Sequence, residues 1–245
     1  MGSSEQFSER IAPYLAIMLA DMSTLFRSKL TFAWFIAAIF LELVRVLGSG
    51  SAGTTSSVVS AGLSDFVLIW SLIMIGMTAS AVSSESGEFA DSVMSKSVTR
   101  FDYLFAKFSS RIIYVLAMYG AISAVIVGLT LGIVKNDYQI YGLISSLLLV
   151  ALALIVLTTM GVAFSTFSPN TIIAIVSLLV VWYAMMFFFP LVKLEFLSPA
   201  NLITLLPGII RGNWTTTLWN TIVGWTSISV ACTGLSAIYF YLKDV

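Results

Sequence analysis

The stretch GLISSLLLVALALIVLTTMGVAF, residues 142–164, holds no charged residue and no proline. At about 1.5 Å per residue it makes a helix about 34 Å long, enough to cross a hydrocarbon core about 30 Å thick. Apolar and polar residues do not alternate along it, so it does not read as a barrel strand. The same reading finds five more runs, at 31–47, 63–82, 112–134, 171–192 and 218–242. The fold class is therefore all-α: a polytopic membrane protein with six transmembrane helices in a single transmembrane domain over 1–245.

The composition agrees. Hydrophobic residues make up 59% of the 245 and charged residues 10%, against about a quarter charged in soluble domains. Twelve Lys and Arg balance twelve Asp and Glu, so net charge points to no nucleic acid and only charge placement informs. No histidine occurs, which removes His-dependent nucleophiles and His-ligated zinc. A lone Cys232 excludes an intrachain disulfide. The chain is expected to be no enzyme and to hold no cofactor or metal.

Charge placement orients the spans. With the N-terminus inside, Arg10, Arg27, Lys29, Lys96, Arg100, Lys107, Arg111 and Lys243 lie on the inner side and only Lys135, Lys193 and Arg211 outside. That bias predicts a multi-pass cell-membrane protein with both termini cytoplasmic. Glu5 and Glu9 precede the first apolar run, so the start does not read as a cleaved signal.

Around the spans, three segments stand out. Over residues 7–29, Phe7, Ile11, Leu15, Met18, Met22 and Phe26 recur at helical spacing, predicting an amphipathic helix along the inner membrane surface or against a partner protein. Pro13 suits the start of such a helix. Residues 84–110 form the longest inner loop, with acids before bases; Phe89 and Val93 give a short helix an apolar edge fitted to a groove. Thr99 then reads as an N-cap with Asp102 three residues on, opening a surface helix that leads into span three. Residues 195–217, broken by Pro199, Pro207, Gly208 and Gly212 yet apolar in the middle, predict two short helices re-entering from the outside, as a gate or as an interfacial cap.

Inside the spans, Glu42 and Arg45 sit about 17 and 21 Å beyond Thr31. They read either as an intramembrane functional pair or as mutual structural neutralisation. Asp65 suits the positive end of span two as a cap. In span three, Gly120, Ala124, Gly128 and Gly132 form a ladder of small residues, expected to pack against another helix of the same subunit. Gly48, Gly50 and Gly53 match the dinucleotide spacing, but without the strand and helix that pattern needs. No Gly-Lys pair occurs, so there is no P-loop. Asn213-Trp214-Thr215 is a formal glycosylation sequon lying almost against span six.

Taken together, these features resemble the membrane permeases of type-2 ATP-binding-cassette (ABC) transporters. The likeness rests on the helix before span one, the six spans, the broken outer segment, and an inner loop with Glu85, Gly87 and Glu88 followed by Ser97-Val98-Thr99-Arg100 and Lys107. Relatives commonly carry Pro where Ser97 stands. The resemblance implies a permease subunit of an exporter, paired with a second permease copy as homodimer or heterodimer. It also implies two separate ABC ATPase subunits that bind ATP and Mg and dock on a coupling helix through Glu85, Gly87, Glu88, Phe89, Asp91, Val93, Arg100 and Lys107. A secondary transporter, which would need ionisable groups near the midplane and an internal repeat, and a structural membrane subunit are the competing readings.

Overall fold

The computed structural model describes residues 3–50, 53–85 and 99–242, with side chains from residue 12 onwards. Among them the chain is all-α, without a strand. The helices are α1 (Ser3–Arg27), α2 (Lys29–Ser49), α3 (Thr55–Leu68), α4 (Trp70–Ala79), α5 (Arg100–Ile133), α6 (Ile140–Phe167), α7 (Thr171–Leu191), α8 (Pro199–Ile210) and α9 (Thr216–Leu242). Short 3₁₀ turns stand at Ser83–Glu85 and Glu195–Leu197. Six stretches are long and apolar enough to cross a membrane: α2, the α3–α4 stretch Thr55–Glu85, α5, α6, α7 and α9. The bundle has a loop end, where α1, Glu85, Thr99 and the end of α9 lie, and a cap end, where α8 lies.

The core is built around α3, α4 and α6. Val59, Leu63, Phe66, Met74, Ile75, Leu154 and Leu157 are sealed from the surface, while α2, α7 and α9 turn large apolar side chains such as Phe32, Phe40, Ile172, Phe187, Val223 and Val230 outward. That distribution suits a lipid solvent, because Leu or Phe against acyl chains loses nothing relative to burial.

Two segments differ from the sequence expectation. Span two opens at Thr55, not Leu63. Thr54 caps it, accepting from Ser57 N while the Ser57 hydroxyl reaches back. The hydroxyls of Ser60 and Ser64 fold back onto carbonyls one turn earlier, so a polar-looking run is carried into a helix without stranded donors. Asp65 therefore lies inside the span and caps nothing. The segment 195–217 holds one α-helix, α8, in place of the two expected. Pro207 does not break it, and its buried Leu202, Leu206, Ile209 and Ile210 cover α3, α6 and α7.

Thr99 does cap α5, accepting from Asp102 N at 3.1 Å, and the helix runs unbroken into the span. The apolar stripe expected on α1 is divided. Met18, Met22 and Leu25 turn inward as α1 packs along α5, while Leu15, Leu19 and Phe26 stay exposed. The side chains of Phe7 and Ile11 lie outside the described residues.

Candidate functional site: the ion cluster at the foot of the loop

Lys107, Ser110 and Arg111 sit at i, i+3 and i+4 on α5 and so share one face. Opposite them α1 presents Asp21, and the 3₁₀ turn that ends span two presents Glu85. Lys107 Nζ donates to Asp21 Oδ1 at 2.9 Å and to Glu85 Oε1 at 2.5 Å. Ser110 Oγ donates to Asp21 Oδ2 at 2.5 Å, Arg111 Nη2 to Asp21 Oδ1 at 3.3 Å, and Tyr103 Oη to Glu85 Oε2 at 2.6 Å. Two cations thus face two carboxylates, and the cluster is neutral. Lys107 is 3% exposed and Arg111 6%, so neither charge could stay there unpaired. A second tie, Tyr14 Oη to Ser109 Oγ at 2.7 Å, fastens α1 to the same stretch of α5.

The site therefore clamps three things together: the N-terminal helix, the last turn before the loop, and the first turns after it. Of the docking residues expected from sequence, Lys107 points into the cluster and holds Glu85 from within the chain. Glu85 is partly exposed beside it. Arg100 lies at the start of α5, its Nη1 3.5 Å from Tyr241 O. Gly87, Glu88, Phe89, Asp91 and Val93 lie outside the described residues. Sequence reading missed Asp21, Ser110 and Tyr103. The i, i+3, i+4 set of Lys107, Ser110 and Arg111 on a helix was the available signal that a buried acid should face it.

The structure joins the intramembrane pair and adds a third member. Arg45 Nη1 donates to both carboxylate oxygens of Glu42, at 3.0 and 2.9 Å, and Arg45 Nη2 to Asp65 Oδ2. Glu42 is sealed from the surface. Gly62 makes the room, since a Cβ there would stand 2.8 Å from Glu42 Oε2.

The small-residue ladder does not pack within this chain, contrary to the expectation. Gly120, Ala124, Gly128 and Gly132 are all exposed, and a Cβ on any of the three glycines would meet nothing within 4 Å. The reason is the helical period. The buried row of α5 is Tyr114, Met118, Ile122, Ile126 and Thr130, and a residue two positions from a member of that row faces the opposite side.

At the cap end, Asp137 in the α5–α6 connection accepts from Ser56 N at 2.7 Å, Ser56 Oγ at 2.5 Å and Arg211 Nε at 3.0 Å. Thr55 N donates to Lys135 O at 3.0 Å and Gln139 N to Ile210 O at 2.9 Å. A Cβ at Gly142 would run into the Ile209 carbonyl, so glycine allows α8 to seat on α6. Burial pushes the Asp137 carboxyl up, but the hydrogen bonds from Ser56, Thr54 and Arg211 outweigh it and hold the group below the ordinary carboxylate value. Among the described residues no group of three or more His, Cys, Asp or Glu is placed to hold a metal ion. Compared with known protein families and with curated proteins, the chain matches none.

Proposed function

We propose that this chain is the permease subunit of an ATP-driven ABC exporter of the type-2 class, working as a pair with a second permease and energised by two separate ATPase subunits. The observation that carries the reading is the ion cluster. Residues 86–98 are bracketed by Glu85 and Lys107, which hold each other and are tied through Asp21 to α1. A load applied to that loop is thereby passed to the N-terminal helix and to spans two and three together, as a coupling element requires. ATP-driven approach of the ATPases would then bias the permease pair between two arrangements.

Affinity purification of the full chain from membranes of its own host tests this. The expected result is a co-purifying protein that carries a P-loop, ATP hydrolysis by the complex and none by the chain alone. Phe89→Asp should lower recovery of the ATPase at least tenfold with the chain's yield unchanged. Hydrolysis by the rigorously pure chain, or purification with no ATPase bound, contradicts the reading.

The Glu42–Arg45–Asp65 set favours the alternative of a secondary transporter, since ionisable groups within spans are the usual seat of ion coupling. Uptake into proteoliposomes of the chain alone, driven by an ion gradient without ATP, would decide for it.

A further inference from the structure

The hydrogen-bond ladder of span two is interrupted between α3 and α4 at Ile69, within Leu68-Ile69-Trp70-Ser71, where neither proline nor glycine occurs; Ile69 itself keeps helical backbone angles and donates its N–H to Asp65 O. Sharp interruptions need an identifiable cause, and apart from those residues the usual one is a foreign group inserted into the hydrogen-bond ladder. That is what α7 supplies. Trp182 Nε1 donates to Val67 O at 3.3 Å, and Tyr183 Oη donates to Leu68 O at 2.5 Å. Ser71 Oγ also donates to Leu68 O, at 3.1 Å, and lies 3.2 Å from Tyr183 Oη. Leu72 N, which in a regular helix would bond Leu68 O, bonds Ile69 O at 3.2 Å instead. The backbone has shortened its step from i−4 to i−3, and Leu68 O is satisfied by side chains.

We propose that Ile69 is a hinge in span two and that Trp182 and Tyr183 are the clasp that holds its broken state. The two halves have separate anchors. Beyond α4 lie Glu85 and the ion cluster; at the first turn of α3 lies the Ser56–Asp137–Arg211 joint. Releasing the clasp lets Leu72 N return to Leu68 O, which re-forms the ladder and re-aims the loop end against the cap end. Leu68 O keeps a partner in both states and Leu72 N keeps an acceptor, so the cost of release falls on the Trp182 Nε1–H and Tyr183 O–H donors. A partner that binds the released state better shifts the equilibrium by offsetting that cost. Mid-helix i−3 steps frequently mark such hinges. This inference concerns the chain alone and does not rest on the ATPase reading.

Spin labels at Ala61→Cys and Ser80→Cys, in a Cys232→Ser background of the full chain in lipid nanodiscs, report the state of the span by pulsed electron resonance. An unbroken helix sets these backbones about 29 Å apart. Tyr183→Phe keeps the ring and removes the donor; it should move the distance distribution toward that of a straight helix, and Trp182→Phe should do the same to a smaller extent. Leu72→Pro removes the N–H that an unbroken helix needs and clashes with the Leu68 carbonyl, so adding it to Tyr183→Phe should restore the wild-type distribution. Identical distributions in wild type, Tyr183→Phe and Trp182→Phe overturn the hinge. So does failure of Leu72→Pro to reverse the change, because a merely structural loss of packing would not be repaired by a proline on another helix.

Discussion

At the loop end two almost fully buried cations share two carboxylates, whereas at the cap end a single carboxylate meets an arginine whose side chain is about half exposed. Both arrangements tie three segments of the chain. The difference lies in what happens when a partner is lost. A Lys107 or Arg111 charge stranded at the loop end has no water to turn to, while one stranded at the cap end does. The loop end is thus fixed by the cost of breaking it, and the cap end is held by bonds that solvent can replace.

The largest test of that contrast is Asp21→Ala. It leaves Lys107 and Arg111 with Glu85 alone and should destabilise the folded chain by about 3–5 kcal/mol, read from denaturant unfolding in detergent micelles. Asp21→Leu combined with Lys107→Met should recover part of that loss, since the charge balance is restored. A double variant that loses the sum of both single effects would show the two residues to be energetically independent.

Arg45→Gln separates burial from position along the bundle. It strands Glu42 inside span one and should cost about 3 kcal/mol by the same measurement, near the loop-end value although Arg45 lies toward the cap end. A loss near that of the exposed Asp137 joint would break the claim that burial governs the difference.

Asp137→Asn should cost only about 1 kcal/mol at neutral pH, because water replaces part of what is lost. The Asp137 carboxyl is held below its ordinary value of 3.8 in the folded chain. Its contribution is therefore complete above that value and fades as pH falls through the lower folded value. The stability gap between wild type and Asp137→Asn should close on acidification below about pH 4; a gap that widens there would reverse the sign. The smallest effect belongs to Gly128→Leu. With nothing of this chain near it, the variant should change the unfolding midpoint by no more than the equivalent of about 0.5 kcal/mol, and a large loss would mean that the ladder is covered within the subunit after all.

Much of the fold was legible because long charge-free runs have one physical solution in lipid. The six spans, the helix before them and the Thr99 cap could be read from residue spacing. The start of span two could not, since Ser56, Ser57 and Ser60 look like a loop until Ser57 and Ser60 are seen bonded to the helix's own backbone and Ser56 to the Asp137 carboxylate. The glycine ladder was visible, but spacing says only that small residues align, not which side of α5 its neighbours occupy. Asp21 and Asp137 find partners 86 and 74 residues away, a separation that no local pattern encodes. The interruption at Ile69 leaves little local signal either: Ser71 bonds Leu68 O from within the span, but Trp182 and Tyr183 reach the same turn from α7.

Docking of ATPase subunits requires the loop end to face the cytoplasm. In a Cys232→Ser background, Ser92→Cys and Asn213→Cys place one thiol in the bracketed loop and one on the exposed turn after α8. An impermeant maleimide added to intact cells should label Asn213→Cys at once and Ser92→Cys only after permeabilisation. Labelling of Ser92→Cys in intact cells would put the loop on the side without ATP and contradict the proposed docking of ATPase subunits there.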